Sequence, residues 1–358
     1  MITETEGNLL DANADALVNT VNTVGVMGKG IALQFRQAFP ANYRAYEAAC
    51  RRGEVRLGHM FVTETGLLGR PRFIVNFPTK GHWRSRSRLD DIEAGLADLR
   101  RIISEYSITS IAVPPLGCGN GGLSWRDVQP MIVKELGNLP GVQVTVYPPK
   151  GAPPAKLMPV RTQRPKITTG RAALLSLVGK YVRLSQLEQP AAPDGASLLE
   201  IQKLMYFLQE AGEPLHLNYS KALYGPYAEN LNHVLQAMEG HYVRGYGDRS
   251  QEVRKLSPIA LMSGAEDEAF TRLADDAGPT ADRIDAVLQL VGGFASAYGL
   301  ELLATVHWVV TREGGSVTDN AALTRLVQGW SQRKGRLFTD AHIRTAAEHL
   351  AQLDWLTA

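Results

Sequence analysis

The chain has 358 residues, is 44% hydrophobic and 21% charged, and carries a formal net charge of +2, an ordinary composition for a folded protein with room for two cores. It holds no run of about 18 apolar residues long enough to span a bilayer. "MITETEGNLL" has no basic-then-apolar leader, and the only cysteines are Cys50 and Cys118, too few for a disulfide framework or a cysteine–histidine zinc site. A reducing, cytoplasmic setting is expected, with no membrane partner, metal or cofactor. The charge is uneven: +3 over residues 1–150, +4 over 151–170 and −5 over 171–358. A positive front half suits a phosphate-bearing ligand, and an acidic rear half argues against nonspecific DNA binding there.

In chain order, "ADALVNTVN" reads as a buried strand that runs into the glycine-rich stretch Gly25–Gly30. "GIALQFRQAF" and "NYRAYEAACRR" read as helices parted near Pro40, and "GHMFVTET" and "RFIVNFPT" as strands. "RLDDIEAGLADLRRIISEY" sets Leu89, Ile92, Leu96, Leu99 and Ile103 at spacings of three and four, one apolar helical face. "SIAVPPL" is a short buried strand before "GCGNGG"; Ser124 then caps a helix, and "VQVTVYPP" alternates as a strand. Strand–helix alternation predicts an α/β domain, a mainly parallel sheet with helices on both faces, over residues 1–148. Residues 149–170, rich in proline and basic groups, predict a semi-extended linker. From 171 to 358 the pattern is mainly helical, with helices at "SLLEIQKLMYFLQEAG", after Gly225-Pro226, and near 267–276, 281–298, 320–331 and 339–354.

Three segments are expected to converge at the carboxyl ends of the strands, the usual ligand site of such sheets. The first is "NTVNTVGVMGKG", from Asn19 to Gly30; the second is "PPLGCGNGG", from Pro114 to Gly122; the third is "NFPTKGHW", with Lys80 at a strand end. Glycines between strand and helix leave room for something to approach the backbone, and N–H groups there can cradle an anion. As a turn alone, such a junction is common. Neither loop fits GxxxxGK[ST] or GxGxxG, which disfavours a nucleotide triphosphatase or a dinucleotide enzyme. A lysine of ordinary pKa, about 10.4, is neutral in roughly one molecule per thousand near pH 7, so a nucleophilic Lys80 needs desolvation or nearby cations. Trp83 on a loop suits base stacking and "RSRSR" (Arg84, Arg86, Arg88) suits phosphates, though a loop aromatic and a solvated charge run are the plainer alternatives. Cys118 has no evident histidine partner and reads as small-residue packing.

The order of these motifs, "EGNLLDANADALVNTVNTVGVMGKGIA" followed by "IAVPPLGCGNGGLSW", resembles the macrodomain family over residues 1–148. The resemblance implies a three-layer α/β/α macrodomain that takes ADP-ribose, followed by a mainly helical C-terminal domain. It implies that Asn8 and Leu9 lie near adenine, although many macrodomains have an aspartate there. Asn22 and the Gly25–Gly30 loop, Met27 and Gly28 included, would surround the distal ribose, with Asn19 and Ile31 beside them. Pro115 and Leu116 would lead into the diphosphate loop of Gly117, Cys118, Gly119, Asn120, Gly121 and Gly122. "FPTKGHW" is similar to the lysine-bearing segment of the branch containing terminal ADP-ribose protein glycohydrolase. It implies a catalytic Lys80 aided by Asn22, acting as nucleophile or as charge stabiliser. That branch also has an acid in the second loop; here Asn120 and Gly121 stand in its place, and Asp127 lies on the next helix.

Macrodomain, basic linker and helical domain together resemble the DarG family of DNA ADP-ribosyl glycohydrolase antitoxins. This implies release of ADP-ribose from thymidine in single-stranded DNA, with His82, Trp83, Arg84 and Arg86 on the nucleic acid. It also implies a DarT-like DNA ADP-ribosyltransferase toxin as partner of residues 171–358. The rival readings are a non-hydrolytic ADP-ribose reader, which needs no Lys80, and a protein de-ADP-ribosylase. In the rear half, "GAEDEAFTRLADD" suits either DNA mimicry or a solvated helix face, "SQRKGR" within a helix-turn-helix suits phosphate, and His216, His233, His241 and His307 lack metal-ligand spacing.

Overall fold

The computed structural model describes residues 1–250, 257–275 and 278–356. The chain divides into two compact units, Met1–Gln163 with Gly247–Glu252, and Arg164–Tyr246 with Val253–Ala358. Among the described residues no helix is long and apolar enough to cross a membrane.

The first unit runs β1 (Ile2–Glu4), a 3-10 turn (Leu9–Asp11), β2 (Ala16–Asn22), α1 (Gly30–Ala38), α2 (Pro40–Arg51), β3 (Phe61–Glu64), β4 (Phe73–Lys80), α3 (Leu89–Glu105), β5 (Ser110–Val113), α4 (Trp125–Leu136) and β6 (Gln143–Val146). Its six strands pair in the order β1-β6-β5-β2-β4-β3, all parallel except the β3–β4 pair. The two-residue period of a strand builds the three layers. Ala16, Val18, Phe73, Val75, Ile111 and Val113 face one side, under Ile92, Leu96 and Leu99 of α3 and Val128 and Ile132 of α4. Leu17, Ile74 and Ala112 face the other, against Leu9, Phe35 and Ala38. A Cβ on Gly95 of α3 would stand 2.3 Å from the Phe77 ring, so only glycine lets this helix sit so close to β4. Leu89, expected on the apolar face of α3, is 38% exposed because it is the helix's first residue. Ser124 holds the N-cap position of α4 but makes no side-chain cap bond.

Asp15, just before β2, ties the far end of the sheet. Its carboxylate accepts from Thr109 N at 3.0 Å, Ser110 N at 3.1 Å and the Thr109 hydroxyl, and pairs with Arg70 at 3.0 Å. Burial would raise its pKa, but the bonds from Thr109, then Arg70 and Ser110, hold it below the ordinary carboxylate value.

The second unit is mainly helical: α5 (Thr169–Glu188), α6 (Leu198–Glu210), the hairpin of β7 (Tyr219–Ala222) and β8 (Gly225–Ala228), α7 (Leu231–Met238), the short pair β9 (Val243–Arg244) and β10 (Ala260–Leu261), α8 (Ala265–Ala274), α9 (Thr280–Val291), α10 (Ala297–Arg312), α11 (Asn320–Gly329), α12 (Gln332–Leu337) and α13 (Asp340–Gln352). Ser197 and Glu200 close a capping box on α6. Two expectations are corrected. Gly225-Pro226 opens β8, because Lys221↔Pro226 pairs it into the hairpin, and the helix expected after it, α7, starts only at Leu231. The helix expected over 281–298 stops at Val291; Gly293 takes φ 76°, and α10 starts afresh behind the Ser296 cap. The "SQRKGR" cations are largely committed inward. Lys334 is wholly buried, donating to Glu301 at 2.6 Å and Thr305 at 2.9 Å, and Arg333 forks onto Glu301 at 2.6 and 3.0 Å. Lys203 is buried beside them, with its ammonium on the Pro226 carbonyl at 2.5 Å. Of the acidic run, residues 276–277 lie outside the described residues, while Glu266 and Glu268 pair with Arg183 and Arg164.

Candidate functional site

The parallel register of β2 and β4 sets Asn22 directly beside Lys80, after a bulge at Val21/Asn22. Thr23 reinforces the pair: its hydroxyl donates to Gly81 O at 2.7 Å. Lys80 then turns its ammonium to two backbone carbonyls, Asn120 O of the second glycine loop at 2.9 Å and Trp83 O at 3.1 Å. A Cβ on Gly30 would lie 3.3 Å from the Asn120 amide nitrogen, which brings the start of α1 to the same place. The three segments expected to converge therefore do so, at the carboxyl ends of β2, β4 and β5. Among the described residues no carboxylate lies within ion-pair distance of Lys80, and partial burial alone lowers its pKa from the ordinary lysine value.

The first loop is ordered by its own asparagine. Asn22 Oδ1 accepts from Val24 N at 3.0 Å and Val26 N at 3.3 Å, and Nδ2 donates to Val26 O at 2.6 Å. The amide expected to face a ribose is thus engaged in shaping Thr23–Val26. Asn19 is wholly buried, donating to Asn76 Oδ1 at 3.0 Å and to the Met27 sulfur at 3.7 Å. Asn76 donates in turn to Asn42 at 2.7 Å. Both side chains have no exposure, so they support the first loop from beneath. Gly30 N donates to Asp248 O at 2.8 Å, and Gln34 to the Asp248 carboxylate at 2.6 Å, which explains why 247–250 belongs to this unit. Ile31, half-buried on the first turn of α1, packs against the Leu17–Phe35 cluster.

In the second loop Leu116 is buried in the core, Pro115 is half-buried and Gly119 and Asn120 are exposed. The loop Gly117–Gly122 is closed by Gly122 N donating to Gly119 O at 3.1 Å and Leu123 N donating to Gly117 O at 3.1 Å. Ser87 braces it from below, with Ser87 N donating to Gly121 O at 3.0 Å. The Cys118 thiol rests on Leu116 O, and burial, with Asp127 nearby, pushes its pKa up to about 11. A thiol so protonated is no nucleophile at neutral pH.

Asn8 caps the 3-10 turn through Leu10 N at 3.1 Å, and its amide nitrogen donates to Asp11 and to Leu157 O, both at 3.1 Å. Leu9 beside it is buried against Leu17 and Phe35, so its side chain is core. His82, Trp83, Arg84 and Arg86 are exposed just past Lys80. The His82 and Trp83 rings lie 5.3 Å apart, and the Arg84 guanidinium sits 4.5 Å from the centre of the Trp83 ring, which is 46% exposed. Arg88 is taken up by Asp90 at 3.2 Å. A cavity of about 250 Å³ beside Asn13, Phe39 and Arg70 borders the starts of β2 and β4, the end opposite to this convergence. In the second unit, the described residues contain no group of three or more His, Cys, Asp or Glu placed to hold a metal. The sequence reading did not single out Tyr46 or Ser87, since neither lies in a motif.

Sheet order, glycine loops and strand-end lysine define a macrodomain, and the Macro domain family model matches residues 18–132. The DNA ADP-ribosyl glycohydrolase of Mycobacterium tuberculosis is 48% identical over 355 residues, covering 98% of this chain and 99% of that protein. Its Thermus aquaticus counterpart is 50% identical over 352 residues, with 98% and 93% covered. A DNA ADP-ribosyl transferase-DNA ADP-ribosyl glycohydrolase fusion protein of Thermosipho africanus is 34% identical over 171 residues, covering 43% of this chain and 44% of that one. The chain belongs to the DNA ADP-ribosyl glycohydrolase family.

Proposed function

We propose that this chain removes ADP-ribose from thymidine bases of single-stranded DNA, with Lys80 as the catalytic residue. The observation that carries this is the placement of Lys80: it stands between the two glycine loops, half-buried, with carbonyl partners and, among the described residues, no carboxylate within ion-pair distance. Adenine and diphosphate are held near Asn8 and along Gly117–Gly122, and the distal ribose lies over the Thr23–Gly30 loop that Asn22 shapes. The bond broken joins the anomeric carbon to a thymine ring nitrogen. Charge builds positively on the ribose and negatively on the base; water adds to the carbon and a proton goes to the nitrogen. Lys80 lies at the convergence of the three segments, and as an ammonium it stabilises the leaving base. This role asks for no acid in the second loop, where Asn120 and Gly121 stand.

The lowered pKa of Lys80 favours a second reading, attack by the neutral amine on the opened ribose. The two differ in a trapped adduct. A thymidine-ADP-ribosylated oligonucleotide is incubated with the chain, with Lys80→Ala, and with either in the presence of borohydride. Release of ADP-ribose by the wild type and at least a hundredfold loss in Lys80→Ala is expected. An intact-mass adduct on the wild type selects the amine, and its absence selects the ammonium. Full turnover by Lys80→Ala overturns both.

The assignment of parts is also our inference. Residues 1–148 carry hydrolysis, 149–170 link, and 171–358 bind and block a DNA ADP-ribosyltransferase toxin. The name of the Thermosipho relative, which joins transferase and glycohydrolase, supports such a pairing. The Lys80→Ala chain separates the roles, since it should still bind and inhibit the toxin. The exposed Trp83–Arg84 pair, with His82 and Arg86, supports contact with unpaired bases and phosphates.

A further inference from the structure

Tyr46, on α2, has no exposed surface, yet its side chain reaches the site. Its hydroxyl donates to Asn22 O at 2.6 Å and shares that hydrogen with Asn22 Oδ1 at 3.3 Å. Burial, together with its neighbour Cys50, raises the phenol pKa far above its ordinary value. The group is therefore a donor at every working pH.

The atoms it holds matter. Asn22 O ends β2, at the residue in register with Lys80. Asn22 Oδ1 is the acceptor that fixes Val24 N and Val26 N. The same helix packs on the loop a second time: a Cβ on Gly25 would meet Cys50 Cβ at 3.5 Å and Glu47 Cγ at 3.6 Å. An unbroken set of contacts thus runs from α2 through one phenolic hydroxyl and one asparagine to the first glycine loop.

We infer that Tyr46 is a positioning residue for the hydrolysis: through Asn22 it sets the shape of the Thr23–Val26 loop, and so the place at which the distal ribose meets Lys80. This rests on the assignment of that loop to the ribose and of Lys80 to the chemistry. Tyr46 touches neither sugar nor base, so its loss acts on turnover more than on binding, because the diphosphate loop and the Asn8 turn are unchanged by it.

The test is Tyr46→Phe in the full chain, which removes one oxygen and keeps the ring. With the ADP-ribosylated oligonucleotide as substrate, kcat should fall at least tenfold while KM stays within threefold. In the Asn22→Ala background, which keeps the bond to Asn22 O but has lost the side-chain tie to Val24 and Val26, the same change should cost kcat a smaller factor than in the wild type. A generally loosened fold would instead cost the same factor in both backgrounds. A second variant has 4-aminophenylalanine at position 46, which keeps the volume and a donor, and should hold kcat within threefold of wild type. Wild-type kcat in a folded Tyr46→Phe, equal losses in both backgrounds, or a tenfold loss with the amino analogue each overturns the proposal. If Lys80→Ala also kept full activity, the failure would belong to the site assignment rather than to Tyr46.

Discussion

Gly119→Ala asks directly why glycine stands in the second loop. Gly119 is exposed, takes no left-handed backbone angle, and a Cβ built on it meets nothing within 4 Å. The fold therefore does not require glycine at this position. Two residues on, the case reverses: a Cβ on Gly121 would stand 2.3 Å from Ser87 Oγ and 2.4 Å from Gly117 O. If glycine at 119 exists so that a diphosphate can approach the main chain, alanine there leaves the protein as stable or more stable, by about 0.4–1 kcal/mol from reduced freedom of the unfolded chain. Losing one charge-assisted N–H contact to the ligand costs about 1.5–3 kcal/mol, or roughly 10- to 150-fold in ADP-ribose affinity. Gly121→Ala should instead lower stability by about 1–3 kcal/mol, since backbone must move. Isothermal titration with ADP-ribose and thermal unfolding on both variants read the two effects. Unchanged affinity in Gly119→Ala would refute the close-approach argument and leave the loop a turn.

Two further outcomes follow from titrating groups. Asp15→Ala should destabilise the first unit by about 1–3 kcal/mol near pH 7, followed by calorimetry. Because its folded pKa is depressed, that contribution is present above the ordinary carboxylate pKa and lost as pH falls through the folded value, so the gap between wild type and variant should narrow as pH falls below the ordinary carboxylate value. In the second unit, burial, with Lys334 adding to it and Glu301 opposing, pushes Lys203 down to about 7, and Lys334 is pushed down to about 8. Between those values and the ordinary lysine range the unfolded chain binds more protons, so stability should rise with pH from 7 toward 10; Lys203→Met should flatten the rise, and an unchanged slope would contradict it.

The first unit was legible because its signals are local. Ala16–Asn22 alternates between two cores, α3 shows its stripe, and Lys80 sits where strand meets glycine. What escaped depends on partners distant in sequence. The burial of Asn19 was not legible, because nothing nearby reveals its partner Asn76, fifty-seven residues on. Asn22 was placed correctly, but its amide turned out to serve its own loop. Pro226 carried a helix-start signal that strand pairing overrode. α10 is buried on nearly every side from Gly299 to His307, so it lacks the polar stripe that marks a helix in a sequence.

The buried amides of Asn19, Asn42 and Asn76 have a consequence for folding fidelity. β2 and β4 are almost wholly buried, and their apolar stretches alone would fix the alignment of the two strands only weakly. Asn19 stands opposite Asn76 in the ladder, and their side chains bond at 3.0 Å. Shifting β2 against β4 by a single residue would break the Asn19–Asn76 bond and leave the wholly buried Asn19 amide without that acceptor. The pair thus works as a key that admits one alignment, and that alignment brings Asn22 level with Lys80 at the strand ends. A misaligned chain would hold a sheet of plausible shape with its lysine one step out of place, and the polar key makes that arrangement costly.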